Sequence, residues 1–290
     1  MLINQQCMDC ILRKNLNKYP PDAPAGQVRV WQRRVRELVA GSGGSTSPQL
    51  HGQISALYRE MFGPLRDYSP QKRRFNAVML GLEGAMQADV DAAEDPLTRA
   101  VQYAMVGNFI DFAALGEIDE GELRKKLAGA GALSVDRAVL EALRREAASA
   151  GRLVCLTDNC GEIVADKVLL RTLRRLNPDL HITVLVRGGP VVNDATMEDA
   201  EQVGLREVAD AVSGSGCDLP GTVLSRVSEA ALAALDGADV IISKGQANYE
   251  GLSGCGRNVF YIFMCKCDMF ARRFNVPLLA GVLTREQGRG

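Results

Sequence analysis

Through the first half of the chain the apolar residues return at intervals of three and four with charged residues between them, the spacing of a buried stripe on a helix. Val28, Val30, Trp31, Val35, Leu38 and Val39 set this pattern from about residue 26. Ile54, Leu57, Tyr58 and Met61 repeat it behind Ser47-Pro48, a pair suited to opening a helix. Between them, residues 41–48 are almost all glycine and serine and predict a connector, while Pro64 and Pro70 bracket a turn. Helical patterns continue over Gln71 to Ala88, Asp95 to Leu115, Asp119 to Ala128 and Ser134 to Ala150. After Gly151 the pattern changes. Short β-rich runs at Leu153 to Thr157, His181 to Arg187, Glu207 to Val212, Val240 to Ser243 and Val259 to Met264 alternate with helical segments. Those segments lie near Glu162 to Leu176, Met197 to Val203, Val227 to Leu235 and Met269 to Phe274. The alternation predicts the α/β class: a mostly parallel sheet with helices on both faces in Rossmann-like layers, over residues 151–290. A mainly helical domain precedes it over residues 1–150, and no internal repeat is visible.

Composition narrows the partners. The 290 residues carry 34 Lys plus Arg against 35 Asp plus Glu, a formal charge of -1. That balance removes the argument for bulk attraction to nucleic acid or to anionic membranes, which relies on surplus basic residues. The apolar run Val259 to Cys265 stops at Lys266, far short of the ~20 residues that span a bilayer. The first residues lack the basic region and apolar core of a signal peptide, so the 8 cysteines point to a reducing, cytoplasmic setting rather than a disulfide framework.

In parallel sheets ligands bind beyond the carboxyl ends of the strands, so polar residues there are the ones to weigh. The first strand runs directly into Asp158-Asn159-Cys160-Gly161-Glu162, and the second into Arg187-Gly188-Gly189-Pro190-Val191-Val192-Asn193-Asp194. Either polar pair alone could be a helix cap. Together they bring Asp158, Asn159 and Asp194 to one edge, a coincidence that capping leaves unexplained. Oxygen donors without histidine or thiolate suit a hard divalent cation such as Mg²⁺ or Mn²⁺, with water and substrate in the open positions. The fourth strand adds Ser243-Lys244-Gly245-Gln246-Ala247-Asn248, where Lys244 could neutralise a phosphate, and Arg187 is a second cation on the same edge. A solvated lysine is the plainer alternative. In the helical half, Asn108 and Asp111 are three apart and can share a helix face lining the same pocket. No phosphate-cradling Gly-x-x-x-x-Gly-Lys-Ser/Thr loop is present, and Gly214-Ser215-Gly216 is too short for a dinucleotide fingerprint.

These blocks, in this order, resemble the metal-dependent damage-control phosphatases, formerly a domain of unknown function numbered eighty-nine and also called acidic-residue-methyltransferase-like. The likeness is carried by Cys7-Met8-Asp9-Cys10, Gly107-Asn108-Phe109-Ile110-Asp111, the Asp158 and Arg187 loops, residues 214–222, Lys244 to Glu250, and Lys266-Cys267. The paired N-terminal cysteines resemble the prokaryotic branch. The resemblance implies a divalent cation (Mg²⁺, Mn²⁺, Co²⁺ or Ni²⁺) on Asp158, Asn159 and Asp194. It also implies phosphate held by Lys244, a pocket bordered by Asn108 and Asp111, and hydrolysis of small phosphomonoesters such as sugar phosphates or damaged phosphometabolites. Glu162, Arg187 and Asn248 complete the expected phosphate-binding set, and Asp158, Asp194 and Lys244 the catalytic one.

The expected chemistry is attack on phosphorus by a water that the ion acidifies, with Asp158 or Asp194 positioning it or receiving its proton. Direct attack by Asp158 through an aspartyl-phosphate is the alternative route. Two rival functions are an S-adenosylmethionine-dependent carboxyl methyltransferase, which would leave the oxygen ligands and the lysine without purpose, and a non-catalytic metal- or metabolite-binding protein. Cys7 and Cys10, with Cys267, form a candidate accessory thiol site for a structural metal, against the alternative of small buried side chains. Neither histidine, His51 or His181, has a catalytic setting.

Overall fold

The computed structural model describes residues 1–111 and 119–288. Its first three helices, α1 (Gln5–Asn15), α2 (Ala25–Ala40) and α3 (Ser47–Phe62), form because each presents one apolar stripe to the other two. Trp31, Val35, Val39, Leu50, Ile54 and Leu57 meet there with Ile11, and Trp31 stacks edge-on against Tyr58 and Phe62. The indole N–H finds its partner in the carbonyl of Asn15, so burial leaves no polar group unsatisfied. Thr46 caps α3 in a reciprocal box with Gln49, ahead of Pro48 in the first turn.

The next helices belong to a different core. They are α4 (Ser69–Ala92), α5 (Pro96–Gly107), α6 (Glu120–Ala128) and α7 (Arg137–Ser149). Phe75, Met79, Val101, Met105 and Leu143 from these helices share one apolar cluster with Leu153, Ile182, Ile242 and Ile262 from the strands. The residues before 150 therefore divide between a separate three-helix core and a layer packed on the sheet.

The sheet contains β1 (Arg152–Leu156), β2 (His181–Val186), β3 (Ala211–Gly214), β4 (Val240–Lys244), β5 (Val259–Met264) and β6 (Gly281–Glu286), in the order β3-β2-β1-β4-β5-β6. The first five pair in parallel, and β6 runs antiparallel to β5. Alternation assigns the two faces. Val240, Ile242, Phe260 and Ile262 point into the cluster shared with α4, α5, α7 and α8 (Glu162–Leu176), whereas Ile241, Val259, Tyr261 and Phe263 point to the opposite layer. That opposite layer holds α10 (Glu229–Asp236), α11 (Gln246–Leu252) and α12 (Asp268–Phe274), and α9 (Met197–Gln202) follows the loop after β2. The fold is α/β with helices on both faces, as the alternation of strands and helices predicts. No helix among the described residues is long and apolar enough to cross a membrane.

Five elements differ from expectation. The third strand lies at Ala211–Gly214 rather than Glu207 to Val212, because Leu205–Glu207 form a 3-10 turn that uses the apolar residues before it. The helix expected from Asp95 to Leu115 ends at Gly107, and the end of that expectation falls outside the described residues. At Gly107, its last residue, α5 meets α8 closely: an added Cβ would lie 3.2 Å from Ala165 Cβ and 3.3 Å from Glu162 Cγ. Finally, α1, α11 and β6 have no counterpart in the reading of the pattern.

Candidate active site at the carboxyl edge of the sheet

The strand order reverses between β1 and β4, since β1 connects outward to β2 on one side and β4 flanks it on the other; the crevice at such a point is where ligands bind in this architecture. Asp158 and Asn159 leave the end of β1 there. Neither caps the following helix. The N-cap of α8 is Gly161, at φ 67°, with no side-chain cap bond, so both polar side chains are free for other work. Asp194 is likewise spared, because Thr196 and Asp199 form the capping box of α9.

The two loops are bound together by their backbones. Cys160 N–H donates to Asn193 O (2.8 Å), Ala195 N–H to Asp158 O (2.7 Å), and Asn159 and Asp194 form an isolated antiparallel bridge. Val192, at φ 43°, is one of the non-glycine residues held in the left-handed region, a strained turn immediately before Asn193-Asp194. The convergence of Asp158, Asn159 and Asp194 is therefore built into the main chain.

Side chains then fix their orientation. Asn108, the C-cap of α5, donates from Nδ2 to Asp158 Oδ2 (2.9 Å) and to both Glu162 oxygens (3.1 and 2.9 Å), and its Oδ1 accepts from Met264 N–H (3.0 Å). Asn159 Nδ2 donates to Asp158 Oδ2 and Glu162 Oε2 (2.8 Å each), while its Oδ1 accepts from Asn193 Nδ2 (3.0 Å). Asp194 Oδ2 accepts from Arg187 Nε at 2.5 Å. Asp158 Oδ1 is approached by Arg187 Nη2 at 3.6 Å.

Arg187 is buried, and Asn248 holds it: Asn248 Oδ1 accepts from Arg187 Nη1 (3.1 Å) and Thr222 Oγ1 (2.8 Å), while its Nδ2 donates to Thr157 O and Lys244 O. One donor nitrogen, Arg187 Nη2, is buried without a hydrogen-bond partner among the described residues. Lys266, which follows β5 on the same edge, pairs with Asp111 Oδ2 at 2.7 Å.

Lys244 is placed differently from the other cations. It is the last residue of β4 and shares parity with Val240 and Ile242, so its side chain enters the α5/α8 layer instead of open space. Its three protons go to Glu162 Oε1 (2.7 Å), Asp166 Oδ1 (2.6 Å) and Ala104 O (2.9 Å), and the side chain is fully buried. Asp166 and Glu162 hold its ammonium above the usual lysine range, outweighing the burial that would lower it.

Negative charge exceeds positive in this cluster. Asp111, Asp158, Glu162, Asp166 and Asp194 face Arg187, Lys244 and Lys266, leaving two formal negative charges. Burial, then Glu162 and Asp194, push the Asp158 carboxyl well above its usual range, against the opposing pull of Lys266 and Arg187. Burial raises Asp194 as well, with Arg187 opposing. Two crowded carboxylates and an amide oxygen, in a cluster short of two positive charges, fit a hard divalent cation.

The thiols present a different picture. Cys7, Cys10 and Cys267 are free and half-buried, and Cys267 Sγ accepts from Gln246 Nε2 at 3.5 Å. Burial, then Glu250, keep the Cys7 thiol above its ordinary pKa, with Cys267 and Cys10 contributing. Among the described residues no group of three or more His, Cys, Asp or Glu side chains is arranged to hold a metal, either at these thiols or among the carboxylates around Asp158, so the set proposed there is two carboxylates completed by the Asn159 amide.

The expected residues Asn108, Asp158, Asn159, Glu162, Arg187, Asp194, Lys244 and Asn248 form one network of hydrogen bonds. Asp111 joins it through Lys266, whose electrostatic influence reaches Asp158. The network also includes Asn193, Thr222 and Asp166, which lie outside the expected set, and Asn76 Oδ1 supports it from outside by accepting from Gly161 N–H. Asp166 lies one turn after Glu162 on the same helix face, and Lys266 lies two residues past a strand, on the edge that singled out Lys244; both signals were present in the pattern.

Comparison with known proteins gives the fold and the family. A solved structure of a DUF89 family protein from Pyrococcus horikoshii superposes with a TM-score of 0.83 at 24% identity, covering 99% of this chain and 100% of that one, which establishes the shared fold. Among curated relatives, a damage-control phosphatase of Archaeoglobus fulgidus is 33% identical over 75% of each chain. A damage-control phosphatase of Pyrococcus horikoshii is 33% identical over 65% of this chain and 64% of its own, and a Methanocaldococcus jannaschii protein is 28% identical over 98% and 95%. The model of the damage-control phosphatase ARMT1-like domain matches residues 3–281, nearly the whole of the chain that carries the network above, and the chain belongs to that family.

Proposed function

We propose that the protein is a divalent-metal-dependent phosphatase acting on small phosphomonoesters. The observation that carries this reading is the meeting of Asp158, Asn159 and Asp194 on one sheet edge, beside an arginine whose buried Nη2 has no hydrogen-bond partner among the described residues. The names of the relatives support the hydrolase class.

Asp158, Asn159 and Asp194 would hold the ion, which when bound supplies Lewis acidity to a phosphoryl oxygen and acidity to water. The remaining work falls to the chain. A phosphomonoester dianion repels a nucleophile, so its oxygens need fixed positive charge before attack. Arg187 Nη2 offers an N–H beside Asp158 Oδ1, and Asn248 and Thr222 keep the guanidinium from turning away. Lys266, held by Asp111, offers a second positive charge near Asp158. One of the two ligand carboxylates, Asp158 or Asp194, would orient the attacking water, take its proton and return it to the ester oxygen, which leaves as the alcohol.

Phosphate release from sugar phosphates, nucleoside monophosphates and phosphopantetheine-like esters, assayed with Mg²⁺, Mn²⁺, Co²⁺ or Ni²⁺ and with excess chelator, tests the reading. Release that needs an ion and disappears in folded Asp158→Ala is expected. Release unaffected by chelator, or retained in that variant, contradicts it.

A further inference from the structure

We infer that Lys244 is a positioning residue for the ion site: its ion pair with Glu162 fixes the carboxylate that turns the Asn159 and Asn108 side chains to their working orientation. The inference rests on the reading above only in taking Asp158, Asn159 and Asp194 as ligands.

An ionised carboxylate accepts hydrogen bonds and donates none, so an amide next to it must present its NH₂ and turn its oxygen the other way. Glu162 faces two such amides. Its oxygens accept from Asn108 Nδ2 (2.9 and 3.1 Å) and from Asn159 Nδ2 (2.8 Å), and the Asn159 backbone N–H adds a third approach at 3.3 Å. Asn159 Oδ1 consequently faces the Asp194 loop, where Asn193 Nδ2 meets it, and Asn108 Oδ1 is free to accept from Met264 N–H. A flipped Asn159 would bring NH₂ protons, not an oxygen, to the ion.

Glu162 is itself fully buried, as is Lys244, and the 2.7 Å contact between them is the carboxylate's ion pair. Without the ammonium, Glu162 loses its ion-pair partner among the described residues, and an uncompensated charge would remain in the core. Asp166 sits equally close to Lys244, at 2.6 Å, but among the described residues its Oδ1 accepts from Lys244 and its Oδ2 has no hydrogen-bond partner. The two carboxylates on one lysine therefore separate the positioning role from a general structural one: only Glu162 reaches the ligands. This role differs from direct phosphate binding, since the three protons of Lys244 are already committed to protein acceptors.

The test is Mn²⁺ binding to the full chain by titration calorimetry, without substrate, alongside KM for whichever phosphate ester the wild type hydrolyses. Lys244→Met is expected to weaken Mn²⁺ binding by about 10–100-fold, the range for partners that orient metal ligands, whereas Asp166→Asn stays within about twofold of wild type. Glu162→Gln keeps the volume but sets an NH₂ against the two amides. It is expected to lose Mn²⁺ affinity to the same degree and stands in should Lys244→Met not fold. Wild-type affinity in either variant, an equal loss in Asp166→Asn, or a raised KM with unchanged Mn²⁺ affinity in Lys244→Met would overturn the inference. If the wild type binds Mn²⁺ and only these variants disappoint, the phosphatase reading stands; if the wild type itself binds none, that reading falls too.

Discussion

The missing side chain of Gly245 is what admits the carboxylate of Asp158. A Cβ there would lie 2.1 Å from Asp158 Oδ2, and the residue sits at φ 81°, where side chains are disfavoured in any case. Gly245→Ala should therefore displace Asp158 by about an ångström without unfolding the sheet, a shift that commonly costs on the order of 100-fold in rate. Ion-dependent phosphate release reduced by that factor with unchanged circular dichroism is expected; release within a few-fold of wild type would mean that Asp158 tolerates displacement. Much of the site was legible at this scale because a polar pair just past a strand end has a predictable location. The direction of Lys244 was harder, although its parity with Val240 and Ile242 decides it. What is not encoded locally is which layer that parity faces, and this depends on α5 and α8 packing from elsewhere in the chain.

Among the elements, those with strong periodicity were readable nearly to the residue. Glu162–Leu176 and Val259–Met264 agree with the pattern at both ends, because one carries a long apolar stripe and the other is buried on both faces. The elements without counterparts lack such a signal. β6 pairs antiparallel at the sheet's edge, with Thr284, Arg285 and Glu286 half exposed, so no continuous apolar run announces it. α11 is only 7 residues long, and α1 has few apolar positions until it meets α2 and α3. The three N-terminal helices nevertheless pack a core of their own around Leu50, which is fully buried. Leu50→Ala should destabilise them by about 2–5 kcal/mol. Fluorescence of Trp31, the 1 tryptophan of the chain, follows their unfolding in denaturant. A loss under about 1 kcal/mol would show that this core collapses around the gap rather than being rigidly packed.

Across the molecule, the strand order and the carboxyl-edge loops do one thing together. The reversal between β1 and β4 opens a crevice, the loops after β1 and β2 close on each other through main-chain bonds, and α5 and α8 supply the buried groups beneath. The excess of carboxylates that results is unfavourable without a cation, and the geometry offers one place where oxygen side chains from both loops could share it. Anomalous scattering from crystals grown with Mn²⁺ tests this most directly. The account predicts a manganese peak within coordination distance of Asp158, Asn159 and Asp194 that vanishes in Asp158→Asn crystals. A peak at the cysteines or elsewhere, with those three residues bare, would contradict it.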